Sequence, residues 1–284
     1  MVRSGMEISM KKANYHTHTR LCMHAAGTEK DYIQAALDAG LDILGFSDHA
    51  PFPDDRFDSR MRYDQLDDHL SRIRSLRDAL QKGEAAGAAS GLTGIRPLRI
   101  LAGLEIEYCA DMTGYYPLLL SEKKLDYLLL GHHYYMEDDG SYVHVFSIPK
   151  KYGTPAYLKY AHEVRAALET GFFPILAHPD VIFTNDFVWD KNCSDACDLI
   201  VDAAARTGAV LELNANGIRK GIRLLGGIKR FPYPHPEFWK RVSAAKLPVV
   251  IGSDCHNPSY MWDGCVSEAF RLAKEWKLEL VDSF

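Results

Sequence analysis

Residues 168–180 read LETGFFPILAHPD, and this stretch predicts the building unit of the fold. The end of a helix with an apolar stripe is followed by Gly171, by a short apolar run, and then by the polar residues His178 and Asp180. Such a run is typical of a buried parallel strand that has polar side chains at its carboxyl end. The same order recurs in LDAGLDILGFSDH at 37–49 and in ARTGAVLELNAN at 205–216. The chain is therefore expected to alternate helices with parallel strands.

Seven apolar runs end in polar side chains able to bind a metal ion or a substrate. They are Asn14–Thr19, Asp42–His49, Arg99–Glu107, Tyr127–His133, Phe173–Asp180, Ala209–Asn216 and Pro248–His256. Strand ends so widely spaced in the chain meet at one place only if the sheet is closed or nearly closed. We therefore expect an α/β fold, a distorted TIM-like (β/α)7 barrel whose functional face lies at the carboxyl ends of the strands. An open doubly wound sheet is the alternative, but it would spread the seven ends along a line.

Helical patterns occupy the segments between these runs. Thr28 and Asp31 have the spacing of a capping box, and Gly40 is placed to end the helix that they begin. Apolar residues at helical spacing predict further helices at Tyr63–Leu80, Thr154–Thr170, Asp195–Thr207, Pro236–Ala245 and Gly264–Lys274.

Two connections are too long for simple turns. Ala50–Arg62 and Met136–Lys151 follow predicted strand ends, where substrate-binding loops are expected. Gly83–Gly94, rich in Gly and Ala, is expected to be a flexible linker at the opposite end of the barrel. No change of composition divides the chain, so we interpret residues 1–284 as one barrel domain with residues 1–12 as a loose lead-in.

The composition is that of a soluble globular protein, with 47% apolar and 25% charged residues. A net charge of −5 does not favour nucleic acid or an anionic membrane as a partner. No apolar run is long enough to span a bilayer, and the first residues do not resemble a signal peptide. Six cysteines form no disulfide pattern, and Cys193 and Cys197 are expected to pack. We expect a cytoplasmic location.

Nine histidine and carboxylate residues at or just beyond the strand ends are candidate metal ligands: His16, His18, His24, His49, Glu105, His133, His178, Asp254 and His256. A lone histidine at a strand end is more often hydrogen-bonded than metal-bound, and His69, His144, His162 and His235 are assigned to that ordinary class. Nine candidates together predict a metal site. Imidazole and carboxylate without thiolate suit zinc, manganese or iron(II).

These residues resemble the motifs of the PHP (polymerase and histidinol phosphatase) family. The motifs are H-x-H at 16–18, a further histidine at 24, S-D-H at 47–49, G-L-E at 103–105, G-x-H at 131–133, A-H-P at 177–179 and G-S-D-x-H at 252–256. Within the family, NYHTHTRLCMHA, SDHAPFP and LNANGIRKG are most similar to the stand-alone histidinol-phosphate phosphatases. The resemblance covers nearly the whole chain and implies a distorted seven-stranded barrel that holds three divalent metals.

The resemblance also implies how the ligands are shared among the three metals. The first metal would be bound by His16, His18, Glu105 and Asp254, the second by Glu105, His133 and His178, and the third by His24, His49 and His256. The variable position of G-x-H is here a second histidine, His132. Adjacent strand residues face opposite ways, so only one of the pair enters the site, and we expect it to be His133.

Closely spaced divalent metals favour phosphate ester hydrolysis with a bridging hydroxide as the nucleophile. Asp254, Glu105 and Asp48 are the candidate catalytic carboxylates, and the sequence leaves the proton donor open between Asp254, Asp48 and a metal-bound water. Arg219 and Lys220 form either a phosphate clamp or a solvated basic turn.

Other polar and aromatic residues are candidates for substrate contacts. Asn214 and Asn216 would hold the loop that carries the clamp or bind a substrate amine, and Arg20 is another candidate anion contact. Four aromatic residues form either a wall for an imidazole ring or ordinary packing: Phe52, Phe57, Tyr134 and Tyr135.

The leading hypothesis for the function is hydrolysis of L-histidinol phosphate, a step of histidine biosynthesis. The alternative is a phosphoesterase of the same family that acts on a nucleotide, phosphotyrosine or another small ester. A binding or proofreading module of the kind fused to polymerases is disfavoured, because the chain contains no polymerase domain and retains every ligand motif. A small phosphorylated substrate is the expected partner, and the sequence does not indicate the oligomeric state.

Overall fold

The structure is a computed structural model that describes residues 10–82, 92–94 and 96–284. Its main sheet contains eight parallel strands in the order β1-β2-β3-β4-β7-β8-β11-β12. These are β1 (Ala13–Asn14), β2 (Ile43–Phe46), β3 (Arg99–Ile106), β4 (Tyr127–Leu130), β7 (Ile175–Leu176), β8 (Val210–Asn214), β11 (Pro248–Gly252) and β12 (Glu279–Leu280). The first seven each overlap one of the predicted apolar runs, although β1 shares only Asn14 with its run, and the short β12 was not predicted.

The curled sheet brings its first and seventh strands together. Thr17, just beyond β1, forms a parallel bridge with Cys255, just beyond β11, and the His18 amide donates to the Cys255 carbonyl at 3.0 Å. The predicted α/β fold, a distorted TIM-like barrel, is confirmed, and the open sheet is excluded. The carboxyl ends of the seven predicted strands consequently surround one face.

Eight α-helices accompany the strands in the described part of the chain. They are α1 (Glu29–Ala39), α2 (Leu66–Gln81), α3 (Tyr115–Ser121), α4 (Pro155–Glu169), α5 (Lys191–Thr207), α6 (Ala215–Arg219), α7 (Pro236–Ala245) and α8 (Gly264–Glu275). Thr28 and Asp31 form the predicted capping box, and Gly40 ends α1 with a φ of 71°. The short helices α3 and α6 were not predicted.

Of the two long connections, the second contains regular structure, whereas Ala50–Arg62 consists of turns and bends. The predicted Met136–Lys151 loop belongs to a hairpin of β5 (Tyr134–Met136) and β6 (Tyr142–His144). A second hairpin, β9 (Arg223–Leu225) with β10 (Ile228–Arg230), follows α6 and was not predicted. Residues 83–91 of the predicted linker and residues 1–9 of the predicted lead-in lie outside the described residues.

The barrel interior is apolar at the end opposite the strand tips. Tyr127 fills this end, and its hydroxyl donates to the carbonyls of Tyr15 at 2.6 Å and Phe46 at 3.0 Å. Its ring lies against Gly103, where a Cβ atom would come within 2.7 Å of ring atoms, so only glycine leaves enough room. Along each strand the inward positions then change from apolar to polar towards the carboxyl ends. No helix in the described segments is both long and apolar enough to cross a membrane.

Candidate metal centre

The carboxylate of Glu105 lies at the centre of the polar face. Glu105 is an inward residue of β3 and is almost completely buried. Its Oε2 atom lies 3.2 Å from His16 Nε2, 3.3 Å from His18 Nε2 and 3.0 Å from His49 Nδ1. Burial alone would raise the pKa of Glu105, but the surrounding histidines hold it well below its ordinary value. The carboxylate is therefore ionised and offers oxygen lone pairs to a cation.

The other oxygen of Glu105 faces two further candidates. Its Oε1 atom lies 2.9 Å from His178 Nε2 and 3.5 Å from His133 Nε2. A Cβ atom at Gly131 would overlap this carboxylate, which explains the glycine at the end of β4. The two histidines that follow Gly131 face different ways. His133 Nε2 lies beside Glu105, whereas His132 Nε2 lies 2.9 Å from Glu163.

Asp254 provides the second carboxylate. Its Oδ1 atom lies 3.3 Å from His18 Nε2 and 3.6 Å from His16 Nε2. Its Oδ2 atom accepts hydrogen bonds from the side-chain amides of Asn214 at 3.2 Å and Asn216 at 3.1 Å. The backbone of Asp254 has a φ of 46°, an unfavourable conformation for a residue with a side chain, and it turns this carboxylate into the cluster.

A third group of nitrogen atoms lies nearer to solvent. The Nε2 atoms of His24 and His256 are 2.9 Å apart, and the ring of His49 lies 5.3 Å from that of His24. One nitrogen from each of these three histidines lies within 4.8 Å of the others. The structure thus brings together the residues of all three sets that the resemblance implies. His49, a member of the third set, also lies beside Glu105 and so connects this set to the other two.

Several buried atoms of the cluster fit cation binding better than hydrogen bonding. Among the described residues, His16 Nε2, both ring nitrogens of His18, His49 Nδ1 and Glu105 Oε2 have no hydrogen-bond partner. Buried polar atoms are almost always paired, so an inward-facing set of unpaired nitrogen and oxygen atoms calls for a ligand. Imidazole and carboxylate groups at this spacing suit a divalent cation.

Cys22 also borders the cluster, which the sequence did not indicate. Its ligand atom lies within 4.8 Å of those of His18 and His256. The thiol donates to the Thr19 carbonyl at 3.2 Å, and burial raises the pKa of Cys22. In the absence of a metal ion, burial and this hydrogen bond favour the neutral thiol.

Glu212 is a buried carboxylate that the sequence analysis missed. It accepts from His16 Nδ1 at 2.8 Å, from the His178 amide at 3.1 Å and from the Asn214 side chain at 2.8 Å. A Cβ atom at Gly252 would overlap it, so this glycine makes room for the carboxylate. By holding Nδ1 of His16, Glu212 directs Nε2 towards Glu105. The alternation of inward and outward residues along β8 places Glu212 on the same face as Asn214, and this is the pattern that could have identified it.

Glu107 and Arg60 support His133. Arg60, on the Ala50–Arg62 loop, forms two hydrogen bonds with Glu107, at 2.8 and 3.0 Å. Glu107 also accepts from His133 Nδ1 at 3.1 Å, which leaves Nε2 facing Glu105. Burial would raise the pKa of Glu107, but Arg60 and His133 lower it far below its ordinary value. Sequence spacing alone gave no indication of Arg60.

The structure places Asp48 beside the site and not in it. Its Oδ1 atom accepts from the Thr19 amide at 2.8 Å and hydroxyl at 2.9 Å, and Oδ2 lies 3.3 Å from His69 Nε2. Asp48 does not line the central cavity. It positions the segment after β1, a geometry that disfavours direct proton transfer to a substrate.

The three basic residues predicted to contact the substrate lie in different surroundings. Arg219 is engaged by Asp263, at 2.7 and 3.2 Å, and donates to the Ser253 carbonyl at 2.6 Å, so it is not free to clamp a phosphate. Lys220 does line the central cavity. Arg20 lines a different groove, next to α1 and α2. Of the three residues, only Lys220 is placed to meet a substrate.

The central cavity has a volume of about 370 Å³ and opens above the cluster. Tyr134 lines it, and the ring of Phe57 stacks behind Tyr134 at 4.4 Å. The other two aromatic candidates, Phe52 and Tyr135, are buried in the core. The remaining lining includes His144, Phe146, Asn216, Tyr233 and Tyr260. His144 thus lies in the cavity, whereas His69, His162 and His235 do not line it.

Comparison with known proteins gives consistent results. A family model described as PHP domain matches residues 14–216. A Deinococcus radiodurans protein named "Probable histidinol-phosphatase" is 29% identical over 248 residues, covering 86% of this chain and 85% of that protein. The histidinol-phosphatase of Bacillus subtilis is 25% identical, covering 92% and 98%. A crystal structure of histidinol phosphate phosphatase from Lactococcus lactis, complexed with zinc, L-histidinol and phosphate, shares the fold, with a TM-score of 0.65, 16% identity and 96% coverage of both chains.

Proposed function

The chain belongs to the PHP family, and on that premise we propose that it is a metal-dependent phosphatase that hydrolyses L-histidinol phosphate to L-histidinol and phosphate. One observation supports the proposal above all others. Imidazoles and carboxylates from widely separated strand ends converge on Glu105 beneath a cavity of substrate size. The similar Lactococcus lactis enzyme was solved with zinc, L-histidinol and phosphate.

We propose that the cluster binds three divalent ions, zinc, manganese or iron. His16, His18, Glu105 and Asp254 would bind the first ion, Glu105, His133 and His178 the second, and His24, His49 and His256 the third. Glu105 suits a bridging role, because its two oxygens face different sets of histidines. Cations held here would lower the pKa of a coordinated water towards neutrality and offset the negative charge of the phosphoryl oxygens.

The protein's own residues would prepare this chemistry by orientation. Asn214 and Asn216 hold Oδ2 of Asp254 and leave Oδ1 facing the histidines. Glu105 and Asp254 are the carboxylates that we retain as catalytic, whereas Asp48 acts through Thr19. Lys220, at the cavity edge, is the basic residue that we propose to contact phosphate.

The cavity wall supports a substrate with a small aromatic group. Tyr134, His144 and Phe146 lie together on and beside the β5–β6 hairpin, with ring centroids of neighbours 4.8 and 5.3 Å apart. An imidazole ring is small enough to pack against such a wall while its phosphate reaches the cluster. The single-domain organisation and the cytoplasmic location stay predictions.

The proposal is tested by measuring phosphate release with added zinc, manganese or iron. The substrates are L-histidinol phosphate, a nucleotide, phosphotyrosine and a simple alkyl phosphate. We expect the highest kcat/KM for L-histidinol phosphate. A rate far below those of the other esters would support the alternative, another small phosphate ester as the substrate.

A double variant tests the metal centre separately. H16A combined with H18A removes two proposed ligands, so metal content and turnover should both fall, while circular dichroism stays that of a folded barrel. H162Q, on the exposed face of α4, is the matched control. Full turnover in the double variant would contradict the proposed site.

A further inference from the structure

Two charged residues of the cavity have no charged partner. Asp58 and Lys220 both line it, and within the described ranges neither side chain forms a hydrogen bond or an ion pair. Lys220 Nζ lies over the ring of Phe146, 5.2 Å from its centroid. The other two charged residues above the cluster, Arg60 and Glu107, neutralise each other. Among the residues that the structure describes, the open part of the cavity therefore presents one free cation, Lys220, and one free anion, Asp58.

Asp58 is held in position by its neighbours in the chain. On one side, Phe57 stacks on Tyr134 with ring planes only 15° apart. On the other side, Arg60 is fixed by Glu107 and lies 5.0 Å from the centroid of the Phe57 ring. A short segment anchored at both ends keeps the carboxylate at the cavity, although Asp58 itself is exposed.

We propose that Asp58 binds the ammonium group of the substrate, and so selects phosphomonoesters whose carbon chain carries a positive charge. The inference rests on the proposed function and names the feature of the substrate that is recognised. L-Histidinol phosphate carries its ammonium group on the carbon next to the phosphate-bearing carbon. Cations bound at the cluster would repel that ammonium group, and the nearby carboxylate offsets the repulsion. Lys220 meets the phosphate and Asp58 meets the amine.

The test compares two substrates that differ only in the ammonium group. They are L-histidinol phosphate and its des-amino analogue, 3-(imidazol-4-yl)propyl phosphate, assayed with the metal-loaded full-length enzyme. D58N should lower kcat/KM for L-histidinol phosphate by about fivefold, a modest loss because the carboxylate is solvent-exposed. The analogue has no ammonium group for Asp58 to bind, so its kcat/KM should change by less than about twofold.

D55N is the matched control. Asp55 lies in the same loop, is exposed, does not line the cavity, and has a φ of 51°, which asparagine accepts. D55N removes the same charge and should leave kcat/KM unchanged for both substrates. A D58N loss that is equal for both substrates, absent for both, or matched by D55N would overturn the role of Asp58. Poor wild-type activity on L-histidinol phosphate relative to other esters would instead contradict the proposed function.

Discussion

At the scale of single residues, the orientation of His16 and of His133 depends on the group that binds the ring nitrogen facing away from Glu105. His16 and His133 each place Nδ1 on a buried carboxylate, Glu212 and Glu107 respectively, and direct Nε2 towards Glu105. Such outer carboxylates fix the ring orientation and make the imidazole a better ligand. Burial alone would lower the pKa of His16, but Glu212, Glu105 and Asp254 raise it well above its ordinary value. The negative charge of these carboxylates therefore favours a positively charged group at this position.

The first prediction concerns Glu212. E212Q keeps the size of the side chain but removes the charge behind His16, so the affinity for the cation that we propose His16 binds should fall by about 10- to 100-fold. Isothermal titration of metal-free protein with zinc would measure this change. The fold should be retained, because the amide of Gln can still pair with His16.

A glutamate on the surface provides the comparison for this variant. E237Q changes the same residue type at a partly exposed position on α7, where Glu237 pairs with Lys240. Its zinc affinity should equal that of the wild type. If E212Q also retains wild-type affinity, then the carboxylate behind His16 does not tune the metal site.

The alternation of strand residues was enough to predict the residues of the cluster, but not the residues that hold them in position. His16, Glu105 and Asp254 each follow an apolar run, so their positions at one face follow from parallel pairing. Arg60 could not be found in this way, because its partner Glu107 is 47 positions away in sequence. Arg219 was expected at the substrate for its charge, yet Asp263, on a distant segment, engages it.

At the scale of elements, one buried histidine joins two helices to a strand end. His69 of α2 places Nδ1 2.8 Å from Glu29, the first residue of α1, and Nε2 3.3 Å from Asp48, just beyond β2. Burial would lower the pKa of His69, but the two carboxylates raise it to about 9. The imidazolium therefore holds the helices against the strand that ends in His49.

The second prediction is a pH dependence of stability. The folded-state pKa of His69, about 9, lies above its ordinary value of 6.5, so its contribution is complete below pH 6.5 and is lost as the pH rises through 9. The free energy of unfolding, measured in urea between pH 6 and 10, should fall more steeply for the wild type than for H69Q. The glutamine has no proton to lose in this range.

Other groups also titrate at high pH, so the contribution of His69 is given by the difference between the wild-type and H69Q curves. H162Q removes an exposed histidine of α4 and should follow the wild-type curve. Parallel curves for wild type and H69Q would show that the charge of His69 does not stabilise the folded state.

The beginning of a helix depends on its capping residue. Helix α5 begins at Lys191, four positions before the predicted Asp195, because the side chain of Asp190 accepts from the Cys193 amide at 3.1 Å and caps the helix. The short strand β12 pairs only through Pro248 and Val249 of β11. Its two residues carry too little pattern to be recognised, since tertiary pairing defines them.

At the scale of the whole molecule, the proposed cations lie beside the seam that closes the barrel. His16 and His18 follow β1, the first strand of the sheet, and Asp254 and His256 follow β11, the seventh. Backbone bonds cross the same seam, from the His18 amide to Cys255 at 3.0 Å and from the Ala26 amide to His256 at 2.8 Å. Because the proposed ligands flank these bonds, metal binding and closure of the barrel should be coupled.

The third prediction follows from this coupling. Removing metal with a chelator should speed hydrogen exchange of the seam amides of His18 and Ala26 by at least about tenfold, since bound cations stabilise only the closed form. Amides between β8 and β11, such as that of Ile251, should change much less. Exchange followed by mass spectrometry would measure both sets. The H16A/H18A variant should exchange quickly at the seam with or without metal. If metal slows exchange equally in this variant, or has no effect in the wild type, then metal binding and closure of the barrel are not coupled.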